Sequence, residues 1–185
     1  MSSDGMTEPD EVEFDFRHNG GSPWHPEERG DDFDPKCGVA LRIGETWIPG
    51  QNPSGDVAYF FDESEVSFLK RTLGVLKRLY AGETAITMHA GNQGFLHFEA
   101  VGDDHVRVSN HYSEEAIDDE SERLGIENTG TCSLDTLAAA TLDRVRVILP
   151  YGREAFLTNG RAHQFRMLEE NFQQVEWEAE TERFW

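Results

Sequence analysis

Read as a succession of apolar and polar positions, the chain changes texture at Cys37. Beyond it, β-branched and aromatic residues gather into the short runs CGVALRIGETWIP and DVAYFF, bounded by Gly, Pro and Asn, which is the pattern of two or three strands. Between them PGQNPSG is dense in turn formers and predicts an exposed loop. In DESEVSFLKRTLGVLKRLYAG the period lengthens. Val66, Leu69, Leu73, Leu76 and Leu79 or Tyr80 fall on one stripe, the spacing of an amphipathic helix. Asp62 is placed to cap its first amides with Glu65 three residues on, Lys77 and Arg78 suit its negative end, and Gly82 supplies a left-handed stop.

TAITMHA, GFLHFEA and HVRVSNH then alternate with period two and predict a three-stranded antiparallel meander. Side-chain parity puts Ile86, Met88, Leu96, Phe98, Ala100, Val106 and Val108 on one face. Thr87, His89, His97, Glu99, Arg107 and Ser109 fall on the other. That register sets Glu99 opposite Arg107, a cross-strand pair of favourable sign, with Thr87 opposite His97 and Phe95 opposite His89. SEEAIDDESERL reads as a frayed surface helix or a mobile loop. After GIENTGT, the stripe Leu134, Leu137, Ala138, Thr141, Leu142, Val145, Ile148 predicts a buried-face helix with Ser133 as N-cap and Pro150 as stop, although RVRVIL could also make a strand. Phe165, Leu168, Phe172 and Val175 mark a further amphipathic helix.

Strands segregated from helices imply an α+β fold: an antiparallel sheet of about five to six strands, helices packed on one face, the other face wet. The expected organisation is an acidic disordered arm over residues 1–35, a single domain over 36–176 and a charged tail over 177–185. The arm carries eleven Asp or Glu, two Arg and many turn formers, a composition that buries too little apolar surface to offset its ordering entropy. Phe14, Phe16 and Trp24 are its exceptions, able to dock on the body or on a partner.

Charge alters the picture more than composition does. With 36 acidic and 16 basic residues the chain carries a net charge of −20. Binding to phosphate backbones or anionic membranes needs Lys or Arg, so direct nucleic-acid and membrane association are not expected. Such self-repulsion destabilises a compact state at ordinary ionic strength and fades near 1 M salt, where the Debye length falls to about 3 Å. A salt-rich cytoplasm is the expected setting, with an ordinary acidic protein that uses Arg in place of Lys as the alternative, and stability should rise with KCl. No apolar run approaches the roughly 18 residues that span a bilayer, and the start MSSDGMTEPDEVEFDF has no secretory pattern, so a cytoplasmic location is expected. Cys37 and Cys132 lie outside any metal or redox spacing and read as buried apolar residues.

Candidate chemistry is thin. No Walker loop, dinucleotide fingerprint, nucleophile elbow or HExxH occurs, and the acids between Glu114 and Glu122 lack EF-hand spacing. No cofactor or metal is expected. The residues that could form a binding surface are Trp47, which could stack on a ligand, and His89, His97, Glu99 and Arg107 on the wet sheet face, with His105 and His111 near its rim. His25 within PWHP could be a short recognition peptide.

The succession VALRIGETWIP, FDESEVSFLKRTLGVLKRLYAGE, GFLHFEAVGDDHVRVSNH and SLDTLAAATLDRVRVIL resembles the small α+β immunity proteins of bacterial polymorphic toxin systems. The likeness covers about residues 37–149 and transfers no functional position. It implies a non-enzymatic protein that neutralises a basic partner by occluding its surface or active site. The alternative is a salt-adapted protein with a small-molecule or enzymatic site on the exposed sheet face.

Overall fold

A computed structural model describes residues 11–18, 36–92, 94–123, 128–158 and 162–182. Its first sheet is organised around strand β2 (Lys36–Ile43), whose run from Cys37 to Leu41 is buried on both faces. Strand β1 (Val12–His18) pairs antiparallel along one edge, with Phe16 opposite Val39 and Phe14 opposite Leu41. The other edge of β2 is shared by β3 (Thr46–Ile48) and β6 (Phe60–Ser64). A two-residue ribbon of β4 (Gly50–Gln51) and β5 (Val57–Ala58) connects them.

The second sheet is the meander β7 (Ala85–Ala90), β8 (Gly94–Val101) and β9 (His105–His111), extended by β10 (Thr129–Ser133) in the order β10-β9-β8-β7. Its register matches parity: Glu99 opposite Arg107, Thr87 opposite His97, Phe95 opposite His89. The apolar parity set is buried except Ala100, which lies exposed at the sheet end.

The fold is therefore α+β, but its strands divide between two four-stranded sheets instead of joining one sheet of five to six. The sheets meet where Gly130 passes Ile43, at a separation so small that a Cβ on Gly130 would stand 2.7 Å from that of Ile43. β10 escapes a reading by alternation because Thr-Gly-Thr-Cys offers a single apolar side chain, Cys132, to the core.

Three helices close the core. Helix α1 (Glu65–Tyr80) buries Val66, Phe68, Leu69, Leu73, Val75, Leu76 and Leu79. Ser64, not Asp62, caps it, accepting from the Ser67 amide at 3.2 Å. Its C-terminus is the expected glycine stop: Gly82 has φ +88°, and the amides of Gly82 and Glu83 return to the carbonyls of Leu79 and Arg78. A short helix α2 (Glu115–Asp118) with a 3₁₀ turn at Glu120–Glu122 occupies the acidic segment. Arg123 clips it by donating to the Ala116 and Ile117 carbonyls, and Ala116 is buried.

Helix α3 (Leu134–Thr158) starts at the Ser133 cap but runs through Pro150, which was expected to end it. Helix α4 (Ala162–Glu182) buries Phe165, Leu168, Phe172 and Val175, and packs against α1 and α3. It continues six residues beyond 176 with Ala179 buried, so 177–182 is helix and not tail. One apolar cluster joins both sheets to α1, α3 and α4. Among the described residues no helix is long and apolar enough to cross a membrane.

The N-terminal region departs furthest from expectation. Residues 12–18, placed in a disordered arm by composition, form a strand, because Phe14 and Phe16 both turn to the core and meet Phe68 edge-on at 6.2 Å. The Glu65 carboxylate, buried beneath them, pairs with Arg144 at 2.6 Å, and the Arg144 guanidinium lies 5.0 Å from the centre of the Phe16 ring. Burying these rings outweighs the charge that alternates with them, since Glu13, Asp15 and Arg17 point to the opposite face. Trp24 and His25 lie outside the described residues.

Candidate functional site

The wet face of the second sheet carries four of the five residues expected at a binding surface. Its cross-strand rows are Glu99 and Arg107, then Thr87, His97 and Ser109, then His89, Phe95 and His111. Several of these groups bond to one another. Arg107 pairs with Glu99, Thr87 Oγ1 is hydrogen-bonded to His97 Nδ1 at 2.9 Å, and Ser109 Oγ to His111 Nε2 at 2.9 Å. His89 packs on Phe95 at 4.6 Å, and the rings of His97 and His111 meet edge-on at 6.3 Å. Burial holds His97 below the ordinary imidazole value, against the opposing pull of Glu99 and Asp118 and with Arg107 adding to the depression.

The Ser109–His111 pair has the reach of a nucleophile and base, but both lie on a strand inside a four-stranded ladder. Backbone amides along β9 are committed to β8 and β10. Among the described residues no group of three or more His, Cys, Asp and Glu side chains is arranged to hold a metal.

Trp47 stands apart from these residues, on the outer face of the first sheet. It lies opposite Arg42, whose guanidinium is 5.8 Å from its ring and bonds Glu13 at 2.7 Å. The five expected residues are thus divided between the two sheets, Trp47 on the first and the other four on the second.

A concave site exists elsewhere, and pattern reading missed it. Where β6 meets the β7–β8 turn, a cleft of about 270 Å³ is lined by Pro49, Tyr59, Phe60, Phe61, Asp62, Ala90, Asn92, Gly94 and Tyr112. Its construction follows from three local features. First, β6 is bulged: the three steps from Phe60 to Glu63 span what β2 covers in two, from Val39 to Cys37. Asp62 takes up the extra residue with φ +58°, a left-handed backbone that Asp tolerates better than most residues. Second, glycines bring the turn onto β6. A Cβ at Gly94 would stand 2.6 Å from Phe60 Cε1, and one at Gly91, itself at φ +62°, 2.5 Å from the Phe61 carbonyl.

Third, the Tyr59 wall is fixed from behind. Its hydroxyl donates to Asp15 at 2.7 Å, Asp15 pairs with Arg17 at 3.0 Å, and the Arg17 guanidinium lies 5.9 Å from the Tyr59 ring centre. Burial, then the bond to Asp15, pushes the Tyr59 phenol up to about 12, so it remains a neutral donor. Gly38 lets Tyr59 cross β2 at contact distance.

The cleft combines aromatic walls with one carboxylate. Phe61 is 60% exposed and Tyr112 38%, so the cleft presents two large aromatic side chains to solvent. The Asp62 carboxylate accepts from Asn92, and among the described residues no Lys or Arg pairs with it. Lys36 bonds the Asp62 main-chain carbonyl instead, at 2.9 Å. No family model, curated protein or solved structure matches the chain. The only sequence sign of the cleft was AYFFD, four aromatic or acidic residues in a five-residue run that strand alternation leaves partly outward.

Proposed function

We propose that this chain is a cytoplasmic, non-catalytic protein-binding module for a basic partner, immunity-like in the sense its sequence pattern implies, and that it does not bind nucleic acid directly. The observation that carries this reading is the exposure of Phe61 and Tyr112 around a cleft whose Asp62 carboxylate pairs with no Lys or Arg among the described residues, on a chain of net charge −20. Aromatic side chains supply a large share of binding energy at protein interfaces, while complementary charge raises the association rate and excludes wrong partners. The imidazoles on the second sheet are engaged with their neighbours, which favours a binding surface over a catalytic one there.

The test is affinity capture from the source cells on the immobilised full chain, compared with Phe61→Ala, at low and at high KCl. A specific basic protein held by the native chain, and lost or depleted on the variant, is the expected result. Recovery of the same proteins on both, or of none at either ionic strength, overturns the proposal.

A further inference from the structure

We infer that the cleft at the β6 bulge is a receptor for a cationic side chain, a lysine or arginine presented by a protein partner. This rests on the binding-module reading and gives it a point of contact.

Two observations point to a cation, and the backbone that presents them is irregular. The walls are aromatic: Tyr59, Phe61 and Tyr112, with the Tyr59 and Phe61 ring centres 6.4 Å apart and their planes tilted by 52°. Aromatic faces attract cations, and the protein itself uses one in this way, holding Arg17 over Tyr59. The cleft also contains a carboxylate, Asp62, bonded by Asn92 but paired with no described cation. Lastly, the backbone that presents Phe61 and Asp62 is a bulge with a non-glycine residue in the left-handed region. Bulges of this kind redirect side chains and recur beside functional sites, where the strain is maintained by surrounding structure.

A neutral apolar occupant would use the rings but make no use of the Asp62 carboxylate beside it. An anion would meet that carboxylate directly. A lysine or arginine uses both, its methylene stem lying along Phe61 and Pro49 while its charged end meets Asp62 and the ring faces.

The test is a titration of the full chain with Nα-acetyl-arginine methylamide, followed by NMR, alongside the citrulline analogue, which is nearly isosteric but neutral. Saturable shifts are expected at Tyr59, Phe61, Asp62, Asn92 and Tyr112, with binding of the citrulline probe weaker by about two- to fivefold, the ratio given by one exposed cation–π contact. Asp62→Asn retains a residue at ease in the left-handed backbone and should weaken the arginine probe without unfolding the chain. Phe61→Leu, at an exposed position, should do the same. Equal binding of the two probes, or shifts that bypass the cleft, overturns the inference. Capture of a basic partner with a silent arginine titration would refute this site alone. Arginine binding without any partner would refute the module reading and leave the receptor standing.

Discussion

Substitution of Phe16 by Ala tests whether the N-terminal strand is structural. The side chain is 3% exposed, and its ring contacts Phe68 at 6.2 Å and Phe14 at 6.3 Å beneath the Arg144 guanidinium. Burying a Phe removes roughly 150–250 Å² from water, which at about 25 cal/mol/Å² corresponds to about 4–6 kcal/mol before relaxation. Buried Phe→Ala changes cost about 3–5 kcal/mol, so the lower part of that range is expected. Against a typical total stability of about 5–15 kcal/mol, this is a large fraction. In urea, with a slope of about 2 kcal/mol/M, the unfolding midpoint should fall by about 2 M. Phe16→Leu, which keeps most of the volume, should cost about 1 kcal/mol. If the Ala variant unfolds within about 0.3 M of the native chain, β1 does not contribute to the core and the account of the first sheet is wrong.

Gly94→Ala forces a Cβ to within 2.6 Å of the Phe60 ring and 3.1 Å of the Ala90 carbonyl. Overpacking of this kind costs about 1–3 kcal/mol, and the Phe60 displacement should alter the Tyr112 and Phe61 resonances. An Ala variant of native stability and native spectrum argues against the close packing of the turn on β6. His97 predicts a pH effect of defined sign. Its folded value lies below the ordinary 6.5, so near pH 7.5 both states are neutral and it contributes no pH dependence. As pH falls through that value the unfolded chain takes up a proton that the folded chain resists, and stability drops until the folded value is passed. His97→Gln should lose less stability than the native chain between pH 7.5 and 5.5, measured by urea midpoints; an equal loss in both counts against burial as the cause.

What could be read from sequence was whatever repeats with a period. The α1 stripe, the α4 stripe and the register of the meander depend on many residues agreeing, so Glu99–Arg107 and Thr87–His97 emerge without coordinates. Composition misled where two residues outweighed many. The region around Val12–His18 is acidic on average, yet Phe14 and Phe16, separated by Asp15, have strand parity and a partner in Phe68. Local stop signals misled too, since Pro150 lies inside helix α3, which as a whole packs on α1, α4, β1 and β10. The cleft was hidden for a different reason. It depends on contacts between segments far apart in sequence, Asp15 with Tyr59 and Asp62 with Asn92, and no local spacing announces them.

The bulge in β6 explains how one short strand supplies both a structural and a surface carboxylate. In an unbroken strand, alternation would send Phe60 inward, Phe61 outward, Asp62 inward and Glu63 outward. The extra residue resets parity after Phe61. Glu63 becomes the buried acid, paired with Arg71 and accepting the Gly91 amide at 2.8 Å, while Asp62 remains exposed at the cleft. A buried carboxylate is tolerable when it is paired and hydrogen-bonded, and Glu63 has both kinds of partner. Glu63 also ties α1 to the β7–β8 turn, since Arg71 belongs to the helix and Gly91 to the turn. The same irregularity that presents Asp62 and Phe61 to the cleft thus anchors the turn forming its opposite wall. Straightening the strand would exchange the two acids, leave Arg71 without its partner and free the turn, so the geometry of the cleft and the integrity of the junction depend on one residue in a left-handed conformation.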